Sequence, residues 1–358
     1  MVGLLAFGSG AVVQLRGNPA GNPTKTSPSV STAPVPSASP RPTPASHAGA
    51  PGPRIGAALV YDPENKGLIL FGGSHNEAMP AGVMGVATAD TWLWNGASWR
   101  QLEVPGPSAR SEAMIAYDSA RHVIVLFGGA GADPSGSATL FDDTWTWDGS
   151  QWTQMTPVHS PDARYRAAMT FDQERGLAVL FGGEGQTATY TDTWTWDGQD
   201  WTLLHPATSP TTRHLASMAY DAGRANIVLF GGSTPGVRLN DTWTWDGATW
   251  TRRTATTPAS GWSYLTYDAR SKEVVAYVYY GLDNHPAAEY TMGWDGTKWT
   301  NRSTSHDPSP RAQIALAFDE ATGQVLLYGG VFDQPQPFDE TWVWDGKTWS
   351  LWEAAAGA

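Results

Sequence analysis

The sequence predicts an all-β fold, a six-bladed β-propeller of four-stranded antiparallel blades. Three observations predict it. One Trp recurs at intervals of 53, 49, 49, 49 and 50 residues, at Trp94, Trp147, Trp196, Trp245, Trp294 and Trp344. Asp-Gly, or Asn-Gly in the first copy, follows each of these, and a second Trp stands five residues on. Six copies of a small sheet with a Trp-rich face can cover one another in a ring.

Composition excludes several other classes of protein. The chain has 358 residues, with 19 Trp, 39 Gly, 26 Pro and no Cys. Without Cys there is no disulfide framework, Cys-ligated zinc, iron–sulfur cluster or thiol nucleophile. The many Gly and Pro residues argue against a helical bundle. The net charge of −12 argues against nucleic-acid binding, which needs a cationic surface.

The first 53 residues differ from the rest of the chain. Residues 1–16 form an apolar segment that is shorter than the roughly 20 residues needed to span a bilayer. We expect part of an export signal or a clipped membrane anchor there, although no basic residue precedes it and a start-site artefact stays open. Residues 17–53 are rich in Pro, Ser, Thr and Ala, which predicts a disordered linker. We therefore expect an extracellular or cell-surface protein, with the cytoplasm as the alternative.

Each repeat predicts four short strands. In the third copy these are Ala167 to Phe171, Leu177 to Phe181, Thr193 to Trp196 and Trp201 to Leu204. Gly182-Gly183 ends the second strand, and Asp197-Gly198 predicts a hairpin turn between the last two. The blades span approximately 54–104, 105–157, 158–206, 207–254, 255–304 and 305–352 within a propeller of residues 54–358. Because all 24 strands occur in order, ring closure depends on packing between the first and last blades.

The repeat resembles that of the kelch family. The resemblance rests on Arg164, Ala167-Ala168, Phe171-Asp172, Leu180-Phe181-Gly182-Gly183, Asp192-Thr193-Trp194 and Trp201. It covers residues 54 to 352, and it implies a propeller. Because kelch propellers include binding modules, carbohydrate-active enzymes and adhesion proteins, it says little about function. The galactose oxidase group needs a Tyr–Cys crosslink at its copper site, and this chain has no Cys.

One face of the predicted ring contains both the Gly-Gly turns and the long, variable loops between strands two and three. Functional loops are typically long and variable, so we expect the site on this Gly-Gly face. Five repeats place an Arg there, Arg54, Arg110, Arg164, Arg213 and Arg311, and an acid, Asp90, Asp143, Asp192, Asp241 and Glu340. We expect Arg and acid to pair in each blade as a structural clamp. The alternative is that the Arg groups line the channel mouth and bind an anionic ligand.

The fifth repeat lacks the Arg, the acid and the Gly-Gly together, at Ser260, Tyr290 and Val278-Tyr279. It adds aromatic and polar residues that we predict to be ligand-binding: Trp262, Tyr264, Tyr279, Tyr280, Asp283, His285 and Tyr290. Aromatic planes beside carboxylates suit sugar rings, and they suit a protein partner equally well. The alternative is a degenerate blade that is merely repacked with aromatic residues.

Little in the sequence indicates catalysis. Five His residues fall in loops of the Gly-Gly face, His75, His159, His205, His285 and His306, but they share no short spacing. We expect no metal, no cofactor and no assignable catalytic residue. The leading hypothesis is a monomeric, non-enzymatic module that binds a protein or glycan, and the alternative is an epimerase- or mutarotase-like enzyme at the channel mouth. An enzyme predicts a deep polar pocket with an acid or His that has no equivalent in other repeats, whereas a binding module predicts a shallow aromatic surface.

Overall fold

Six four-stranded antiparallel sheets form the blades of this protein in the part of the chain that our computed structural model describes. The structure describes residues 49–75, 86–132, 138–254, 261–280, 288–332 and 336–353. These belong to one unit that spans Ala45–Ala358, and every regular element within them is a β-strand. No helix in the described ranges has the length and apolar character needed to cross a bilayer.

Each sheet takes its four strands consecutively from the chain, in the spatial order one-two-three-four. Blade one contains Ala58–Asp62, Gly67–Phe71, Thr91–Trp94 and Trp99–Leu102. Blade two contains Met114–Asp118, Val123–Phe127, Thr144–Trp147 and Trp152–Gln154. Blade three contains Ala168–Asp172, Leu177–Phe181, Thr193–Trp196 and Trp201–Leu204.

The other three blades follow the same order. Blade four contains Ser217–Asp221, Asn226–Phe230, Thr242–Trp245 and Trp250–Arg253. Blade five contains Trp262–Asp268, Glu273–Tyr280, Ala288–Trp294 and Trp299–Asn301. Blade six contains Ala315–Asp319, Gln324–Tyr328, Thr341–Trp344 and Trp349–Leu351. The first strand of each blade contacts the first strands of both neighbours, and blade six contacts blade one, so the sheets form the predicted six-bladed propeller.

Short strands extend three of the loops on the Gly-Gly face. In blade one Ser74–His75 pairs with Val86–Ala87, and in blade four Ser233–Thr234 pairs with Val237–Arg238. In blade two, Ala130–Ala132 pairs with both Arg110–Ser111 and Ala138–Leu140. These loops are therefore built on β-structure that continues beyond the blade.

The hydrophobic core lies between the blades rather than within them. Each of six apolar clusters draws its residues from two adjacent blades, so that every blade interface, including that of blades six and one, has its own cluster. In the cluster between blades two and three, Phe127 contacts Trp201 with ring centroids 5.1 Å apart. The same contact recurs at all six interfaces, at 5.0 to 6.5 Å, with Tyr277 and Tyr328 in place of Phe in the last two blades.

A hydrogen bond accompanies each of these aromatic contacts. The indole N–H of the strand-four Trp donates to the hydroxyl of a Thr in strand three of the preceding blade, three residues before that strand's last Trp. The six pairs, 2.8 to 3.1 Å apart, are Trp99–Thr341, Trp152–Thr91, Trp201–Thr144, Trp250–Thr193, Trp299–Thr242 and Trp349–Thr291. The first pair joins blade one to blade six, so ring closure rests on side-chain packing and this bond, as predicted.

The Asp-Gly hairpin and the Gly-Gly turn of blade three have different physical causes. The last two strands of blade three are joined by four residues, Asp197 to Asp200, and the Asp197 carboxylate accepts the N–H groups of Gln199 and Asp200. Gly182 has φ +68°, and a Cβ there would lie 2.6 Å from the Arg213 carbonyl of blade four. The Gly-Gly turn is therefore the place where the backbone of the next blade approaches too closely for a side chain.

A candidate ligand site at the channel mouth

The five repeated Arg residues are buried and engaged in pairs with the repeated acids. In blade three, Arg164 donates to Asp192 at 2.7 and 3.0 Å and to the Gly182 carbonyl at 3.0 Å. Equivalent bonds join Arg54 to Asp90, Arg110 to Asp143, Arg213 to Asp241 and Arg311 to Glu340. The five Arg side chains are 0 to 2% exposed. Each guanidinium thus clamps strand three to the Gly-Gly turn and is not presented to solvent.

Two acids of these pairs, Asp90 and Asp241, are held as carboxylates. Burial raises the pKa of Asp90, but hydrogen bonds from Arg54 and Trp92 outweigh burial, so the net pKa is below its ordinary value. The same balance, with Arg213 and Trp243 as donors, lowers the pKa of Asp241. In every blade that has the pair, the Trp two residues after the acid donates its indole N–H to that acid, at 2.6 to 2.8 Å.

The predicted fifth-blade residues are dispersed over several environments. Tyr279 is 5% exposed and packs between Trp262 and Phe332. Tyr290 packs against the core between blades four and five. Trp262 is partly exposed, and the Arg238 guanidinium of blade four lies 5.8 Å from its ring centroid. Asp283, His285 and the side chain of Tyr280 lie outside the described residues.

A belt of backbone hydrogen bonds surrounds the channel mouth on the Gly-Gly face. Its members stand two residues after each repeated Arg: Gly56, Glu112, Arg166, Leu215 and Gln313. All five have left-handed φ angles between +54° and +61°. Each N–H of Gly56, Glu112, Arg166 and Leu215 donates to the carbonyl of the belt member in the preceding blade, at 2.7 to 3.3 Å. We call these five residues the mouth belt. Non-glycine residues are uncommon in this region, so such strain marks a functional candidate.

Three members of the mouth belt, Glu112, Arg166 and Gln313, form a polar cluster with Glu184. The Arg166 Nε lies 3.7 Å from a Glu112 oxygen, and its Nη1 lies 3.6 Å from a Glu184 oxygen. Gln313 donates its side-chain N–H to the same Glu112 oxygen at 2.7 Å. The Arg166 guanidinium also lies 4.8 Å from the Tyr165 ring centroid. Its Nε is buried and makes no hydrogen bond among the described residues.

His214 stands beside this cluster. Its Nε2 is 3.1 Å from the Ser233 hydroxyl, and its Nδ1 is buried without a partner in the described part of the chain. Burial lowers the pKa of His214; nearby Glu184 raises it and Arg166 lowers it further, with a net decrease. The imidazole is therefore neutral at neutral pH. Burial disfavours the charged form of Arg166, but Glu112 and Glu184 outweigh burial and raise the pKa of Arg166.

A cavity of about 150 Å³ opens at this point, and Glu112, Arg166 and Tyr264 are among its lining residues. It shares Ala57, Ala113 and Tyr264 with a cavity of about 340 Å³ that is lined by the first strands of all six blades. The channel thus has an opening on the Gly-Gly face at which Glu112, Arg166 and Tyr264 stand among apolar residues. Among the described residues, no three His, Asp or Glu side chains are grouped to hold a metal ion.

Sequence reasoning did not single out Glu112, Arg166, Glu184, His214 or Gln313. The sequence does contain a signal for Glu112, Arg166 and Gln313. They stand two residues after the repeated Arg, a position that holds Gly56 or Leu215 in other blades. A position that changes from charged to apolar between copies is not needed for the repeat. That signal does not show that these side chains meet, because they come from different blades and Gln313 is 201 residues from Glu112.

The comparisons with known proteins bear on the fold. No protein-family model matches this chain, and no curated protein matches it. Among solved structures, that of YjhT aligns with a TM-score of 0.62 at 14% sequence identity, over 85% of this chain and 98% of that one. At this identity the likeness concerns the fold alone, and kelch membership stays a prediction. The chain shares an all-β, propeller-like fold with YjhT.

Proposed function

We propose that this protein is a binding module that holds a hydroxyl-rich ligand, a monosaccharide or the end of a glycan, at the channel mouth. The observation that carries the proposal is the Arg166 Nε, which is buried beside Glu112 and Glu184 with no hydrogen-bond partner among the described residues. A buried donor without a partner costs about 1–3 kcal/mol, and a ligand oxygen can satisfy it.

The charge of the cluster favours a neutral ligand. Two carboxylates, Glu112 and Glu184, face one guanidinium, Arg166, and His214 is neutral, so the site has a net charge of −1. Sugar hydroxyls donate to carboxylates and accept from guanidinium groups. An anionic ligand would meet two like charges. The repeated Arg residues are not part of the proposal, since their donors are occupied and their side chains are buried.

The fifth blade extends this site in our proposal. In blade five, Ser260 stands at the sequence position of the repeated Arg. Trp262 comes two residues later, which is the position that the mouth-belt members hold in the other blades. Its partly exposed indole, faced by Arg238, offers an apolar plane for a sugar ring. Tyr280 belongs to the same proposed extension. We further propose a kelch-type propeller displayed outside the cell or on its surface, which fractionation of the producing cells tests.

A glycan array probed with the full chain tests the proposal, followed by calorimetric titration of the strongest hit. We expect Arg166→Gln and Glu112→Gln to weaken binding at least about tenfold, because each loses a charged hydrogen bond. The matched control is Arg175→Gln, in the same blade, where Arg175 pairs with Asp172 near the Asp-Gly hairpins. Unchanged binding by both Arg166→Gln and Glu112→Gln would show that the ligand does not bind at the channel mouth. Unchanged binding by Trp262→Ala and Tyr280→Ala would show that the fifth blade takes no part in binding. If the protein binds no glycan but binds another protein through the same residues, the ligand is a protein and not a sugar.

A second candidate function is catalysis of sugar mutarotation, and His214 is the observation that favours it. A neutral imidazole beside two carboxylates provides groups able to accept and donate protons near pH 7. Ring opening needs a base to remove the anomeric O–H proton and an acid to protonate the ring oxygen while the C1–O5 bond breaks. Reclosure on the other face of the carbonyl returns both protons.

Polarimetry on freshly dissolved α-D-glucose and α-D-galactose tests the second candidate. We expect the chain to speed the approach to anomeric equilibrium and His214→Asn to lose most of that acceleration. The control variant is His306→Asn, which changes an exposed His in another loop. Rates equal to those of buffer alone would leave binding as the function.

A further inference from the structure

The mouth belt is interrupted at one place, and Tyr264 of blade five fills the gap. Blade five has no left-handed residue at the belt position, because Trp262 lies in a regular strand there. Gln313 of blade six therefore has no belt carbonyl to which it can donate. Its backbone N–H donates instead to the Tyr264 hydroxyl. Tyr264 thus completes the belt with a side chain where the other blades use backbone.

Gln313 is held at three points. Its N–H is bonded to Tyr264, its carbonyl accepts the Gly56 N–H at 2.9 Å, and its side-chain amide donates to Glu112 at 2.7 Å. Its φ of +54° is one that a residue with a Cβ adopts only when its surroundings impose it. Without the Tyr264 hydroxyl, the partly buried N–H would lose its acceptor, and a return to an ordinary φ would move the side chain away from Glu112.

We propose that Tyr264 is a positioning residue, which sets the direction of the Glu112 carboxylate in the ligand site by holding the backbone of Gln313. The relay joins three blades, since Tyr264 lies in blade five, Gln313 precedes blade six and Glu112 precedes blade two. Burial raises the pKa of the Tyr264 hydroxyl, so the phenol remains a neutral acceptor across the physiological range. The proposal rests on the ligand site proposed above.

Two other roles for Tyr264 make different predictions. As a direct ligand contact, Tyr264 would weaken binding when its hydroxyl is removed, whatever residue stands at 313. As a merely structural residue, it would lower stability and leave the affinity per folded molecule unchanged. A positioning role predicts that the effects of Tyr264 and Gln313 on affinity are not additive.

The first test is a double-mutant cycle on calorimetric affinity, with D-glucose, D-galactose and D-mannose as probes. We expect Tyr264→Phe and Gln313→Ala each to weaken the best-binding sugar about five- to tenfold, and the double variant to be no weaker than Gln313→Ala. The control is Tyr277→Phe, which removes a buried hydroxyl that donates to the Ser309 carbonyl outside the site, and it should stay within twofold of wild type. Additive losses in the double variant, or no loss in Tyr264→Phe, would overturn the proposal.

The second test needs no ligand, so that it stands even if no sugar binds. The side-chain amide signals of Gln313 are assigned in a ¹⁵N-labelled sample by their disappearance in Gln313→Ala. We expect Tyr264→Phe to shift these signals to the position that they take in Glu112→Ala, where the acceptor is missing. Gln313 amide signals that stay at their wild-type positions in Tyr264→Phe would refute the relay, whereas failure of the sugar titrations alone would refute only the proposed function.

Discussion

Blades three and five have the same four-stranded sheet but hold its Gly-Gly end in different ways. In blade three, Arg164 clamps Asp192 and the Gly182 carbonyl, and strand two ends at Phe181. Blade five contains no such clamp among its described residues, and its second strand continues to Tyr280, three residues beyond the equivalent of Phe181. A longer ladder of backbone pairs thus takes the place of the ion pair.

The contacts that both blades share show what the ring requires. Trp250 donates to Thr193 of blade three, and Trp349 donates to Thr291 of blade five. These bonds recur at all six interfaces, whereas the Arg clamp is present in five blades. The Trp–Thr layer therefore closes the ring, and the Gly-Gly end above it is free to vary. The polar cluster of Glu112, Arg166, Glu184 and Gln313 lies in that variable region.

Removing the clamp of blade three should have the largest effect. Arg164→Leu leaves the Asp192 charge without its partner, which we expect to lower the free energy of unfolding by about 3 kcal/mol. Urea denaturation measures the change. In the double variant Arg164→Leu, Asp192→Asn the uncompensated charge is gone while an acceptor for Trp194 remains, so we expect part of the loss to be recovered. A single variant as stable as wild type would show that the clamp is dispensable in blade three as well.

Loss of the Thr acceptor of the Trp–Thr hydrogen bond should lower the free energy of unfolding more in blade five than in blade three. Thr193→Val removes one acceptor and leaves the Trp250 N–H buried without a partner, at a cost of about 1 kcal/mol. Thr291 also donates to Asp307 at 3.0 Å, so Thr291→Val should cost about 2 kcal/mol. The same denaturation experiment compares the two. Equal losses would mean that the Asp307 bond does not compensate for the missing clamp.

The mouth should make stability depend on pH through His214. Because burial lowers its pKa below the ordinary 6.5, the unfolded chain binds the proton more readily than the folded one. The stabilisation is therefore complete above about pH 6.5 and declines as the pH falls from there towards the lower pKa of the folded state. Melting temperatures between pH 5 and 8 should fall less steeply for His214→Gln than for wild type or for His205→Gln, in which an exposed His is changed. Identical slopes would show that His214 is as accessible to protons as a surface residue.

The Asp-Gly hairpins should tolerate change best. Hydrogen bonds, first from the Thr297 hydroxyl and then from backbone N–H groups, lower the pKa of Asp295 to about 2. Their stabilisation is present above about pH 4 and is lost as the pH falls through 2. Because solvent screens this turn, Asp295→Asn should change stability by less than about 0.5 kcal/mol at pH 7. Asn95 of blade one already accepts the same two backbone bonds. A loss above 1 kcal/mol in thermal denaturation would contradict this.

Local pattern was sufficient to predict the strands of the regular blades. The last three strands of blade three begin and end where predicted, and its first strand is displaced by one residue, to Ala168–Asp172. The displacement follows from Arg166, whose left-handed backbone delays the start of the strand. The extra length of the blade-five strands was not predicted, because the loss of Gly-Gly indicates only that a turn is missing.

The sequence by itself determined the period, the six sheets and the Trp residues that pack between them, because each is a local pattern repeated about every 50 residues. Only the tertiary structure decided which charged groups pair with one another and how closely. Arg164 and Arg166 are two residues apart, yet the first is clamped by Asp192 and the second lies between Glu112 and Glu184. The partners of Arg166 include Glu112 of blade two, and the packing of blade three against blade two brings them together.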